Sequence, residues 1–152
     1  MARANALLLT LGLLLFGSRP AVAQFVTLSV TASPATMTIN SVAAAGLQPA
    51  AKTDATTSYK VTSFLAPQKK ITAQLNAPMP VGMTLTATYA ALGGGTSSGP
   101  VALDATARNM VTNIGTVFGG TAAITYALSA TVAAGVVASQ TRTVTLTILN
   151  YP

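Results

Sequence analysis

Threonine alternates with apolar residues along two stretches of this chain, and this two-residue period restricts the fold more than any other feature. In residues 84–89 the threonines occupy one face, while Leu85, Ala87 and Tyr89 occupy the other. Residues 143–148 repeat the pattern. A β-branched side chain fits a half-exposed pleated surface, and a period of two is typical of strands with one buried face. Neither stretch has apolar residues at helical spacing.

The same reasoning predicts a series of short strands separated by turns. We expect strands at residues 25–32, 35–40, 59–65, 71–75, 83–91, 109–114, 122–132 and 141–150, with a shorter one at 101–103. Residues 40–57, 76–82 and 93–100 are predicted connectors, Gly119 and Gly120 a tight turn, and residues 133–135 a hairpin tip. No amphipathic crossover helix is found. The predicted fold class is all-β: an antiparallel β-sandwich (immunoglobulin-like or pilin-like) with seven to nine short strands, or a small barrel.

The N-terminus has the composition of a targeting segment. Arg3 precedes an apolar run at residues 6–16, and Ala21, Val22 and Ala23 form a small-x-small sequence. This order is typical of a cleavable secretory signal peptide, and the run is about half the ~20 residues that a membrane-spanning helix needs. We therefore expect a signal peptide at residues 1–23 and a single β-sandwich domain at residues 24–152. An uncleaved anchor is the alternative. The expected location is the periplasm, the cell surface or the extracellular space, with no membrane span after cleavage.

Few residues of this chain could carry catalysis. It contains no His, no Cys and no Glu, so histidine-based triads and thiolate or imidazole metal sites are excluded. The only side-chain carboxylates are Asp54 and Asp104, which a glycosidase pair would require, but each lies in a turn-like sequence where capping the turn is the simpler role. We predict that the chain is not an enzyme and binds no cofactor or metal.

The residues that would support a binding function are also sparse. Only Lys69 and Lys70 are adjacent basic residues, which is typical of a solvated strand edge and not of a nucleic-acid site. Trp, a frequent sugar-stacking residue, is absent, and Tyr59, Tyr89 and Tyr126 are in phase with apolar neighbours. We predict these tyrosines to be core residues and expect no nucleic-acid partner.

The predicted mature chain carries little charge. Six basic and two acidic residues give it a net charge of +4, whereas the whole sequence has 24 threonines. A surface with so few charges gives weak repulsion between copies. The composition therefore favours a protein that packs against neighbours.

Both ends of the predicted domain resemble bacterial fimbrial (pilin-type) subunits and exported domains of the spore-coat-U kind. The similarity rests on the alternating residues 25–32, the alternating residues 142–150 followed by Tyr151, and Gly135 before the last strand. The resemblance implies a sandwich that lacks one strand and receives the N-terminal strand of the next subunit. It assigns the inserting side chains to Val26, Leu28 and Val30, and the receiving groove to Val144, Leu146 and Ile148.

Two functions remain open from the sequence. The first is a structural or assembly protein of the cell surface or periplasm that polymerises by strand addition, with itself or related exported subunits as partners and a periplasmic chaperone. The second is a monomeric exported β-sandwich that binds a polysaccharide or protein ligand. In the second case, residues 25–32 would form the first strand of their own sheet.

Overall fold

A computed structural model describes residues 24–32, 36–40 and 46–152 of the chain. The predicted signal peptide and the Ala-rich residues 41–45 lie outside these ranges. Nine strands and one short 3-10 helix are present in the described part. They are β1 (Phe25–Thr31), β2 (Lys52–Phe64), β3 (Lys69–Leu75), β4 (Met83–Tyr89), β5 (Thr96–Ser97), β6 (Val101–Ala102), β7 (Arg108–Ile114), β8 (Val117–Ala130), the 3-10 helix (Val132–Ala134) and β9 (Val144–Asn150).

The strands form two antiparallel sheets of unequal size, which confirms the predicted all-β sandwich. The larger sheet has the order β1-β2-β8-β4-β6, and the smaller has the order β5-β7-β3-β9. Every strand pair is antiparallel. The two sheets therefore end in four edge strands, and β1 and β9 are the two long ones.

The core lies between the sheets and follows the alternation of the sequence. In β4, Leu85, Ala87 and Tyr89 are buried, while the intervening threonines are only partly buried. Tyr59, Tyr89 and Tyr126 are all in the core, as predicted, with exposed fractions of 0%, 0% and 3%. The smaller sheet contributes Ile71, Ala73, Leu75, Met110, Val111 and Ile114.

Two glycine-containing segments that were predicted to be turns or connectors take part in the sheets instead. Gly119 and Gly120 do not form a turn but belong to β8, where the pairing with β2 shifts by one residue and Gly119 has a φ of 67°. This geometry is a β-bulge that a glycine accommodates without a Cβ clash. Residues 93–100 include β5, which pairs with β7, so the predicted connector is partly a strand. Local sequence does not distinguish a glycine bulge from a glycine turn.

Two other boundaries differ from the prediction. β2 begins at Lys52, seven residues before the predicted start, because residues 52–58 pair with β8 although they lack a continuous apolar face. Residues 36–40 have no strand pairing in the described chain, so the predicted strand at 35–40 is wrong for that part. Within the described ranges, no helix has the length and apolar character needed to cross a membrane.

Candidate functional site: the groove beside strand β9

Strand β9 ends the smaller sheet with an edge that has no strand partner in the described chain. Its other edge pairs with β3 through seven residues, from Val144 opposite Leu75 to Asn150 opposite Lys69. The strand contains no proline and no charged residue. Natural sheet edges usually carry such residues to prevent pairing with another chain. β9 therefore presents an unprotected row of backbone donors and acceptors.

Hydrogen bonds beyond the ladder fix both ends of β9. At its start, Asn76 N donates to Thr143 O (3.0 Å), and Thr143 N donates to the Asn76 side chain (3.0 Å). At its end, Lys69 Nζ donates to Asn150 Oδ1 (2.5 Å). Lys69 is only 6% exposed, so the prediction that it is solvated is wrong. These hydrogen bonds anchor both ends of β9 to neighbouring segments.

An apolar groove of about 1030 Å³ opens beside β9, between the two sheets. The groove reaches Leu85 and Leu128 of the larger sheet, and Val144 and Leu146 of β9. The inward side chains of β9 are half-buried, in contrast to the fully buried residues of the central strands. Their remaining apolar surface faces the groove, which leaves it available for an occupant. Methionines contribute to the lining from two segments: Met37, and Met79 with Met83.

Residues 36–40 form a segment that lines the groove through residues 36–39. Their burial alternates, with Met37 and Ile39 half-buried and packed against the core and residues 36, 38 and 40 exposed. No backbone hydrogen bond joins them to another described segment. This segment therefore contributes side chains to the groove without completing either sheet.

Strand β1 lies at the edge of the larger sheet, paired with β2 from Phe25 opposite Phe64 to Thr31 opposite Ser58. In the single chain, residues 25–31 are thus the first strand of their own sheet. Val26 and Leu28 are half-buried, and Val30 is 47% exposed. Of the six residues predicted for strand exchange, Val30, Val144 and Leu146 line the groove together. Leu28 and Ile148 pack against the core nearby, and Val26 has neither role.

The lining of the groove also includes polar side chains, among which Thr57 and Arg142 differ from the rest in burial and charge. Thr57 is 1% exposed and lines the wall, and its Oγ1 has no hydrogen-bond partner in the described chain. Arg142 lies at the rim, where its guanidinium donates to Pro78 O (3.0 Å), Thr141 O (3.1 Å) and Gln140 Oε1 (2.6 Å). None of these acceptors is charged. Arg142 is therefore a cation at the groove without a carboxylate partner among the described residues.

The two aspartates each accept hydrogen bonds from nearby groups, Asp54 at an irregularity within strand β2 and Asp104 in the segment after β6. Asp54 Oδ1 accepts hydrogen bonds from Thr56 N (3.1 Å) and Thr56 Oγ1 (2.8 Å), where the β2–β8 register shifts. Asp104 accepts from Thr106 N (2.8 Å) and forms an ion pair with Arg108. These bonds, that from Arg108 above all, hold the pKa of the Asp104 carboxyl below its usual value. Asp104 therefore has the turn-capping geometry predicted from the sequence, whereas Asp54 lies at an irregularity within strand β2 and not in the predicted connector. No group of three or more potential metal ligands occurs in the described ranges.

The core tyrosines are in contact with one another. The rings of Tyr59 and Tyr89 are 5.6 Å apart, and Tyr59 Oη donates to Ala90 O (2.5 Å). Burial raises the pKa of Tyr59 to about 12. Burial, with the neighbouring Tyr126 phenol, also raises the pKa of Tyr89 well above its usual range. These phenols therefore stay neutral at physiological pH.

An exposed aromatic strip, defined by Phe25, Phe64 and Phe118, crosses β1, β2 and β8 on the outer face of the larger sheet. Phe25 is opposite Phe64 in the ladder, and the rings of Phe64 and Phe118 are 5.1 Å apart. Their exposed fractions are 57%, 39% and 75%. Sequence reasoning missed this strip because the three residues are far apart in the chain. The position of Phe64, out of phase with Tyr59 and Val61 on the same strand, was the available sequence signal.

Comparison with known proteins gives no relative for this groove or this fold: no family model, curated protein or solved structure matches the chain.

Proposed function

We propose that this chain is an exported structural subunit that assembles with copies of itself, β1 of one copy adding to the edge of β9 in another. The observation that carries the proposal is the apolar groove at the unpaired edge of β9. Export rests on the predicted signal peptide, and the assembled structure would lie in the periplasm or at the cell surface.

Strand addition would use two features found together here: the unpaired edge of β9 and the apolar groove beside it. An added strand gains main-chain hydrogen bonds along the unpaired edge, and its alternate side chains enter apolar pockets. Val144 and Leu146 line such pockets, and Ile148 continues the same face. An unpaired edge beside a groove thus supplies both parts of this recognition mode.

Strand β1 has the properties of a donor. Among the described strands it pairs only with β2, it has no charged residue and no proline, and its inward side chains Val26, Leu28 and Val30 are not fully buried. Moving it to another copy therefore loses fewer core contacts than moving a central strand. Its length of seven residues equals that of β9.

A disulfide across β1 and β2 tests whether β1 leaves its own sheet. Thr27 and Thr62 are opposite each other in the ladder, and facing Cα atoms in antiparallel pairs are about 4.5–5.5 Å apart, which a disulfide can bridge. The doubly substituted full chain (Thr27→Cys with Thr62→Cys) should stay monomeric when oxidised and polymerise when reduced. Size-exclusion chromatography with light scattering measures both states.

The matched control places a disulfide in the strand pair that should not separate. Gln74 and Thr145 face each other in β3 and β9 and are both exposed. The chain lacks native cysteine, so no other disulfide forms. Gln74→Cys with Thr145→Cys should polymerise in both redox states. Polymerisation of the oxidised β1–β2 variant at the control's rate, or monomeric reduced chains throughout, would contradict the proposal.

The aromatic strip favours a second candidate, a module that binds polysaccharide on the outer face of the larger sheet. Exposed rings on a flat sheet can stack against apolar sugar faces, and Thr27 and Thr62 next to the strip offer hydroxyls. Retention of the full chain on insoluble polysaccharides measures this function. Phe118→Ser should abolish retention without lowering thermal stability, and equal retention of the variant would exclude the strip as the binding site.

A further inference from the structure

We propose that the groove beside β9 binds a single-chain anionic amphiphile of the long-chain fatty acid class when the subunit is not assembled. The binding itself does not depend on strand addition. It uses the apolar walls, the rim guanidinium of Arg142 and the void that the unequal sheets leave between them.

The size and lining of the groove suit an alkyl chain. Its volume of about 1030 Å³ is at the upper end of the ~300–1,000 Å³ typical of small-molecule sites. Methionine side chains adapt readily to ligands of varied shape, and Met37 enters the groove from one segment while Met79 and Met83 enter it from another. The ligand therefore needs a long apolar part without a rigid shape.

Arg142 supplies the selectivity for an anionic head group. Its guanidinium has five N–H donors, and three hydrogen bonds to uncharged acceptors are formed, so donors remain for a ligand. A carboxylate can accept two of them at once, and a charge-assisted bond is about twice as strong as a neutral one. By contrast, the other arginine of the described chain, Arg108, is already paired with Asp104.

Thr57 adds a buried hydroxyl to the wall of the groove. Its hydroxyl is buried in the wall without a partner, which is costly unless a ligand or water satisfies it. A single hydroxyl cannot solvate a charged head. The head is therefore assigned to the rim at Arg142 and the chain to the interior, within reach of Thr57.

The amphiphile and an added strand would compete, because both contact Val144 and Leu146. Fatty acid should therefore delay polymerisation if the proposed strand addition is correct. The binding test itself uses the oxidised Thr27→Cys, Thr62→Cys full chain, in which β1 cannot leave its sheet. Failure of binding and failure of assembly are thus distinguishable.

Isothermal titration of this locked chain with octanoate, decanoate and dodecanoate tests the proposal. Each buried methylene should raise affinity about fourfold, so two added carbons should raise it roughly tenfold or more. Arg142→Gln should lower affinity for decanoate about tenfold and leave that for 1-decanol unchanged. Lys60→Gln, which removes an equal charge from the exposed outer face of β2, should change neither.

Three results would overturn the inference. One is the absence of saturable binding by the locked chain. Another is undiminished binding by Leu146→Asp, which places a charge in the groove while thermal melting reports whether the fold is kept. The third is an equal loss of decanoate and decanol affinity in Arg142→Gln, because a purely structural role of the arginine would affect both ligands alike.

Discussion

The hydroxyl groups on the inner face of β2 differ in whether they have a hydrogen-bond partner. The hydroxyls of Thr57 and Ser63 are buried without a partner in the described chain, whereas that of Tyr59 donates to Ala90 O. The period of two predicted the burial of Tyr59, but Thr57 lay in the predicted connector at residues 40–57, so its burial was not predicted. The hydrogen-bond partners were not predicted for any of the three. Hydrogen bonding depends on which atoms of other strands come opposite, and local sequence does not contain that information.

Replacing these hydroxyls should therefore have opposite effects on stability. Thr57→Val removes an unsatisfied group at nearly constant volume and should raise the free energy of unfolding by about 1 kcal/mol. Tyr59→Phe should lower it by about 1 kcal/mol, because the Ala90 carbonyl loses its donor. Urea unfolding of both variants measures the difference. A loss of stability in Thr57→Val would mean that the hydroxyl is satisfied in solution.

The pH dependence of stability should be dominated by tyrosine. The folded-state pKa of Tyr59 is raised to about 12, so the folded chain binds the phenolic proton more tightly than the unfolded chain, whose tyrosines titrate near 10. Stability from this source is complete below about pH 10 and is lost as pH rises towards 12. With no His or Glu, the urea midpoint should be nearly constant from pH 5 to 9. A midpoint that falls within that range would contradict this account.

At the acid end, the lowered pKa of Asp104 acts in the other direction. The folded chain releases this proton more readily than the unfolded chain, so the contribution is present above about pH 4 and is lost as pH falls further. Both side chains of the Asp104–Arg108 pair are more than 40% exposed, so solvent screens the interaction. Asp104→Asn should remove part of the acid sensitivity and leave the alkaline branch unchanged, as read from the same urea midpoints.

At the scale of elements, the sequence predicted the alternating strands well and the irregular ones poorly. β1, β3, β4 and β9 were found within a few residues because each carries its own alternation. The first half of β2 is a strand because β8 lies beside it, which is a long-range cause. The candidate site shows the same division: the resemblance to fimbrial subunits assigned Val144 and Leu146 of the alternating last strand to a groove, but Arg142, Thr57 and the methionines reach it through tertiary packing.

Gly93 and Gly94 allow the cost of a steric clash to be separated from the cost of a strained backbone conformation. Gly93 and Gly94 both have positive φ angles, 61° and 72°, but a Cβ on Gly93 would lie 2.1 Å from Val117 Cγ2, whereas one on Gly94 meets open space. Gly94→Ala should cost about 1 kcal/mol, because only the backbone is strained. Gly93→Ala should cost about 2–4 kcal/mol, because the core end of β8 must also shift. Equal losses in thermal or urea unfolding would show that Val117 moves aside freely.

For the whole molecule, the central feature is that a five-stranded sheet faces a four-stranded one. The groove beside β9, the unpaired edges of β1 and β9, and the low charge of the chain all favour the addition of a further strand. A single alternating strand in a sequence looks the same whether its neighbour is present or missing. The groove could therefore be expected only by resemblance to fimbrial subunits, and its dimensions not at all.

Cross-linking between two differently tagged copies tests this account most directly. One copy carries cysteine at Val26, Leu28 or Val30, and the other at Val144, Leu146 or Ile148, so that any interchain disulfide reports β1 lying beside β9 of the other copy. We predict cross-linked heterodimers for at least one set of neighbouring positions, and none when the first copy carries Lys60→Cys on the outer face instead. Cross-linking no greater than that of the Lys60→Cys control at every pair of positions would contradict strand addition.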